Sequence, residues 1–260
     1  MTYPPGAARL ASRAAPAGLL AGGGVLAFLA GFVNASLLSF YHIPVSHMSG
    51  AATQFGLDLG EGRDAELSTL GLIMGAFLGG AVTSGCLVGR TSLRPGRRYG
   101  LVLLLEAAAL AAAGLLLAHQ HRGCLYAAAY ACGMQNAMAS SYYGLVIRTT
   151  HLTGIVTDLG VQIGHALRHR RFEAWKFRML LAILAGFILG AVSSALLGRS
   201  STWNHLYVAA GLACGIALGY LAWLRRHPRR PCRATTRGEG HGSSQDLRQT
   251  DLFRWPWRLR

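Results

Sequence analysis

Long stretches without a charged side chain constrain this chain more than any other feature of its sequence. Five runs hold no Asp, Glu, Lys or Arg, namely 19–40, 67–89, 123–147, 179–198 and 200–224. A sixth run, 99–118, holds a single acid, Glu106. Crossing a bilayer as a helix takes roughly 20 apolar residues. The sequence therefore predicts an all-α integral membrane protein with transmembrane helices at 18–40, 67–89, 99–118, 123–147, 177–198 and 203–224.

The positions of the basic residues predict how these helices cross the membrane. The net charge is +15, and the arginines concentrate in 90–98, 165–178 and the segment after 224. Basic loops stay on the cytoplasmic side, whereas the acidic stretch 58–66 favours the outside. We expect both termini in the cytoplasm of a bacterium, with the helices in its inner membrane. Because the arginines flank apolar runs, no nucleic-acid partner is predicted.

One half of the chain repeats the other. His47-Met-Ser-Gly50, with Thr53, Gly56 and Gly60 after it, recurs 104 residues later as His151-Leu-Thr-Gly154, with Thr157, Gly160 and Gly164. The flanking patterns Gly31-x-x-Asn34 and Phe77-x-x-Gly80 recur as Gly133-x-x-Asn136 and Phe187-x-x-Gly190. Such duplication is typical of transporters whose site lies between two repeats. The expected parts are an N-terminal segment 1–17, repeat 18–118, repeat 119–224 and a disordered basic tail 225–260.

With three predicted spans in each half, the two repeats should be inverted relative to each other. The duplicated segments 47–61 and 151–165 are too short to cross. They predict two short helices, capped by Ser46 and Thr150 or by Ser49 and Thr153. Each helix is either re-entrant, with its N-terminus near the midplane, or flat at the membrane surface.

Residues repeated in these segments, with their polar neighbours, are the candidates for a solute site. They are Asn34, His47, Gly50, Thr53, Asn136, Arg148, His151, Gly154 and Thr157. The histidines could handle protons, because imidazole titrates near neutral pH, or could make only a hydrogen bond at the helix start. The two asparagines, and Gln135 beside one of them, could line a cavity or hold helices together. Arg148 could anchor the helix end or bind an anion.

Acids at membrane depth are costly and commonly functional. We therefore predict proton coupling by Glu106 and Asp158, together with His47 and His151. Snorkelling of Glu106 to the inner interface, or a surface position of Asp158, would remove that argument. A further face of the short helices carries small residues that could allow close helix packing, namely Gly56, Gly60, Gly160 and Gly164.

Other chemistry is not indicated. The five cysteines show no C-x-x-C spacing, and nucleotide-binding and hydrolase motifs are missing from the sequence. We expect no metal, no cofactor and no catalytic residue. The expected partners are membrane lipid, a small solute and a second copy of the chain.

The repeated motifs resemble a known family. Gly133-Met-Gln-Asn-Ala, Val146-Ile-Arg-Thr-Thr-His-Leu-Thr-Gly154 and Thr157-Asp-Leu-Gly160 look like the motifs of the YoaK-like family, domain of unknown function 1275. Val45-Ser-His-Met-Ser-Gly50 resembles its first motif, although the family commonly has an acid where Asn34 stands and an asparagine where Ala51 stands. The resemblance covers about residues 17–225. It implies a multi-span bacterial membrane protein and suggests small-molecule transport.

The leading functional hypothesis is a secondary transporter or channel-like permease for a small polar or anionic solute, with its site at the repeat interface. A membrane enzyme acting on a lipid or quinone is the first alternative. A non-catalytic scaffold or sensor that signals through the tail is the second.

Overall fold

The protein is built from helices. A computed structural model describes residues 17–88, 96–140, 148–169, 172–200 and 204–226. These residues form α1 (Ala17–Tyr41), α2 (Met48–Glu61), α3 (Asp64–Val88), α4 (Arg97–Ala118), α5 (Gly123–Ser140), α6 (Leu152–His169), α7 (Ala174–Ser200) and α8 (His205–Arg226). Residues 1–16 and 227–260 lie outside the described residues. The tail 225–260 was predicted to be disordered, but its first two residues, Arg225 and Arg226, belong to α8.

Five helices are long and apolar enough to cross a membrane: α1, α3, α4, α7 and α8. The predicted sixth span, 123–147, coincides with α5, which has 18 residues and is not among the five. Residues 141–147 of that run lie outside the described part of the chain. α5 is also the most enclosed helix, since 12 of its residues are buried. The protein is therefore an all-α integral membrane protein, with five candidate spans among the residues that the structure describes.

Local chemistry sets the ends of the helices. α1 stops where His42 adopts a positive φ of 55°, just before Ile43-Pro44, where proline disfavours helical geometry in the residue preceding it. α2 ends at Gly62, whose φ of 71° is the left-handed conformation that glycine adopts readily. These breaks turn the chain sharply and leave α2 as a helix of 14 residues.

The capping prediction for the short helices was wrong. His47 is the N-cap of α2 and makes no side-chain capping bond, while Ser46 lies before it. The carbonyl groups of His47 and His151 each accept the first helical hydrogen bond, at 3.1 Å. Ser46 and Thr150 instead point their backbone N–H groups at asparagine side chains, so those amides are already satisfied outside the helices.

The helices of the two halves pack crosswise. α1 packs most extensively on α7, and α3 packs most extensively on α5. The first long helix of the first half, α1, thus lies against α7 of the second half. In the same way α5, the first long helix of the second half, lies against α3 of the first. α4 packs on α8 and α5, whereas each short helix rests on the helix that follows it, α2 on α3 and α6 on α7.

Glycines set the distance between the crossed helices. A side chain at Gly31 would collide with the backbone of Phe187, and one at Gly133 would collide with the backbone of Phe77. Gly190 and Gly80 lie in the same way against the carbonyls of Phe28 and Tyr130. These two α1–α7 contacts therefore have counterparts, at the repeat-related positions, between α5 and α3.

The glycines that were predicted to pack are not the ones that do. Nothing in the described chain lies within 4 Å of the Cβ position of Gly56, Gly60, Gly160 or Gly164. The short helices touch their neighbours with other faces, so the close approach falls to the duplicated glycines of the long helices.

Candidate functional site

The two aligned asparagines hold the segments that lead into the short helices. The Asn34 Oδ1 accepts hydrogen bonds from the Ser46 N–H at 3.3 Å and the Ser46 hydroxyl at 2.9 Å. The Asn136 Oδ1 accepts one from the Thr150 N–H at 3.3 Å and lies 3.5 Å from the Thr149 hydroxyl. Both asparagines are 6% exposed. Their geometry fits the structural role weighed above, because an amide oxygen occupied by two donors has little left for a solute.

The two aligned histidines lie in different surroundings. The His47 imidazole is half-buried and meets the ring of Phe187 edge-on, with the centroids 5.7 Å apart. Burial lowers its pKa from the usual 6.5, because an imidazolium is poorly solvated there. His151 is exposed, and its ring lies so close to Gly154 that a side chain at 154 would collide with it. The pair is therefore not equivalent.

Most other predicted site residues lie on exposed surface. Gly50, Thr53, Arg148, Thr157 and Asp158 are exposed. Each threonine hydroxyl donates to the carbonyl four residues earlier, Thr53 to Ser49 and Thr157 to Thr153, both at 2.9 Å. Exposed hydroxyls bonded to their own helix contribute little to an enclosed site.

Asp158 has a basic neighbour. Its side chain is 51% exposed and lies 4.0 Å from the Lys176 ammonium at the start of α7. The argument from an acid buried at membrane depth therefore does not apply to it within the described chain.

Glu106 lies where an intramembrane acid was expected. Its side chain is 1% exposed, and its Oε2 has no hydrogen-bond partner among the described residues. α5, against which α4 packs, carries the buried Cys132 near this carboxyl group. Because Glu106 is buried, it does not snorkel to the interface.

Asp58 is a buried acid of α2 that was not among the predicted site residues. It is 0% exposed, and its Oδ1 lies 2.7 Å from a guanidinium nitrogen of Arg63. The same oxygen accepts a hydrogen bond of 2.8 Å from the Gln54 amide. The i, i+4 spacing of Gln54 and Asp58 was the available signal. The arrangement closes the C-terminal end of α2.

A cavity of about 130 Å³ lies where helices from both halves converge. Its walls are almost entirely apolar and come from the first halves of α1, α4 and α7, the second halves of α5 and α8, and Thr149. The lining residues are Gly22, Gly23, Val25, Leu26, Tyr99, Leu103, Met138, Ala139, Thr149, Met179, Ile216 and Tyr220. None of the predicted solute-binding residues is among them. Sequence reasoning missed this cavity because its lining is ordinary apolar residues without a pattern.

A polar layer lies just below this cavity. Gln135, one turn from Met138 along α5, donates from its amide to the Leu26 carbonyl at 2.5 Å. Glu106 lies three residues beyond Leu103 on the same face of α4. The described residues include no group of three His, Cys, Asp or Glu side chains that could hold a metal ion.

The five apolar helices of the described residues, a buried acid and an apolar cavity lined by both halves define an integral, all-helical membrane protein. The chain matches the family described as protein of unknown function, DUF1275, over residues 23–219, and it belongs to that family. No curated protein and no solved structure matches it.

Proposed function

We propose that the protein is a secondary transporter or channel-like permease, and that its solute binds where the two halves of the chain meet. The observation that supports this most directly is the cavity, whose walls come from α1 and α4 of one half and from α5, α7 and α8 of the other. Transporters built from repeats bind their solutes at such an interface.

The proposal includes six spans, with α5 as the sixth, arranged as two inverted repeats. The cavity is lined by residues from the first halves of α1, α4 and α7 and from the second halves of α5 and α8, as expected when neighbouring spans alternate in direction. α4 begins with Arg97 and Arg98, and Lys176 lies in the first turn of α7. Basic residues at that end favour the cytoplasmic side of a bacterial inner membrane, with both termini inside.

This topology can be tested with single cysteines. Residue 50 should be modified by a membrane-impermeant reagent from outside, and residue 154 from inside. Modification of both from one side would contradict the inverted arrangement.

The cavity also bears on the class of solute. The sequence favoured a small polar or anionic solute, which stays a prediction. An almost wholly apolar wall suits a molecule with an apolar part, because polar groups buried there would lose hydrogen bonds to water. A cavity of this size compares with apolar protein cavities that hold one benzene-sized ring.

Filling the cavity tests the proposal. Ala139 is 6% exposed and lines the wall, so Ala139→Phe should remove most of the space and most of the solute flux in proteoliposomes. Ala112→Phe is the matched control, because Ala112 is exposed on the outer face of α4 and should keep its flux. Equal flux from both variants would exclude the cavity from the pathway.

The exposed polar residues need a separate test. His151→Ala and Asp158→Asn should change flux or its pH dependence only if these side chains take part in transport. Flux equal to wild type in both variants would remove them from the mechanism.

A membrane enzyme that acts on a lipid or quinone is the second candidate, because the apolar cavity could also hold the tail of such a molecule. It predicts turnover in detergent without any gradient, whereas a permease predicts accumulation in sealed vesicles only.

A further inference from the structure

The buried carboxyl of Glu106 lies one helical turn below the floor of the apolar cavity. Leu103 lines that cavity, and Glu106 follows it by three residues on the same face of α4, about 5 Å farther along the helix axis. Met138 of α5 lines the cavity together with Leu103.

Among the described residues, Glu106 has no salt-bridge partner that would compensate a negative charge, and its Oε2 accepts no hydrogen bond. α5 presents the Cys132 thiol. α8 places Cys214 at the same height, because Gly100 lies against Leu221 and Gly114 against Tyr207 in this antiparallel pair. The described acids and bases of α3 and α8 lie near the helix ends. An ionised carboxylate in an apolar interior is strongly disfavoured unless a cation joins it.

We propose that the cavity accepts organic cations with an apolar part about the size of one aromatic ring, and that Glu106 exchanges its proton for their positive nitrogen. The O–H bond of the carboxyl group breaks, and the proton leaves to the water at the cavity mouth. The carboxylate remains paired with the cation, so the net charge of the site does not change. This proposal rests on the proposed permease and names its solute class.

The cavity wall fits such a molecule. Tyr99 and Tyr220 are among its lining residues, and aromatic faces attract organic cations. The remaining wall is aliphatic and suits the apolar part. The unpartnered Glu106 Oε2 supplies the acceptor that an apolar wall alone lacks.

Benzyltrimethylammonium is the probe, because its charge is fixed and any pH dependence must come from the protein. In equilibrium dialysis of the full chain in detergent micelles, the affinity for this cation should rise about tenfold for each unit by which the pH is raised. This holds over the pH range in which Glu106 of the free protein is still protonated. Neopentylbenzene, the neutral molecule of the same shape, should bind independently of pH. Phenylacetate tests the anionic solute that the sequence favoured and should bind weakly.

Variants identify the acid. Glu106→Gln should weaken cation binding about tenfold or more, since an unpaired cation remains in an apolar site. It should also abolish the pH dependence and leave neopentylbenzene binding unchanged. Glu106→Asp should restore part of the cation binding. Glu173→Gln, the same change at an exposed acid, should behave like wild type.

Unchanged binding of the neutral probe shows that Glu106→Gln is folded. Cation binding without pH dependence, or equal in wild type and Glu106→Gln, would overturn the inference, as would tighter binding of phenylacetate. Proteoliposomes separate the two proposals. Glu106-dependent cation binding without counterflow would refute the permease alone. If the protein transports other solutes but binds the cation equally well with and without Glu106, only the cation site is refuted.

Discussion

Replacing glycine by alanine should have opposite effects at two repeat-related sets of positions. Alanine favours a helix over glycine by about 1 kcal/mol. At Gly133 the added methyl group would lie on the backbone of Phe77, and because real contacts of a Cβ are essentially never under 3.0 Å, α3 and α5 would have to move apart by about 1 Å. Overpacking typically costs about 1–3 kcal/mol, and a clash with backbone, which cannot rotate away, belongs in the upper part of that range, at about 2–3 kcal/mol. After the helix gain of about 1 kcal/mol, Gly133→Ala should be destabilised by about 1–2 kcal/mol net.

Gly160→Ala is the matched control, since no other part of the described chain lies within 4 Å of its Cβ position. Thermal unfolding in detergent, followed by tryptophan fluorescence, should give a Tm about 2–8 °C lower for Gly133→Ala and one equal to or above wild type for Gly160→Ala. Gly31→Ala should match Gly133→Ala, because its methyl group would meet Phe187. A Gly133→Ala protein as stable as Gly160→Ala would refute the crossed packing of α3 on α5.

Three further predictions follow from polar groups. Asn136→Ala leaves the buried Thr150 N–H without its acceptor and should cost about 1–3 kcal/mol of unfolding free energy, measured by denaturant titration; an unchanged midpoint would contradict the role of this bond. Asp58→Asn should cost about 1–2 kcal/mol through the weakened bonds to Arg63 and Gln54 and loosen α2, seen as faster amide exchange there; unchanged exchange would contradict it. Because the native pKa of His47 lies below 6.5, the unfolded chain takes up the proton first, so acidification below pH 6.5 should lower the Tm of wild type relative to His47→Asn; parallel Tm curves would contradict it.

The long helices could be predicted from the sequence wherever a run of about 20 residues lacks charged side chains. The uncharged runs located α1, α3, α4, α7 and α8, because a bilayer penalises charge at every position of a span. For α5 the outcome is incomplete, since its apolar run extends beyond Ser140 into residues outside the described part. The starts of α2 and α6 were predicted to within one residue, because the repeated histidines mark them.

Of the candidate site, the sequence could predict only the position of a residue whose burial in a membrane costs free energy. Glu106 stood out because an acid in a span is unusual, and it is buried as expected. Helical periodicity grouped Gly56 with Gly60, and Gly160 with Gly164, on one face of each short helix. It could not reveal that no other part of the described chain lies near these glycines. The cavity could not be predicted, because residues such as Leu103 and Met138 enclose space through packing between distant helices. No local pattern records that packing.

The crossed helices have a consequence for biogenesis. Gly31 meets Phe187, so α1 enters the membrane long before the helix that it contacts most extensively has been synthesised. Contacts this distant in the chain form late and leave early segments exposed. During translation the glycine-rich face of α1 must be covered by lipid or by a chaperone, and a truncated chain that ends before α7 should be recognised and degraded as an orphan.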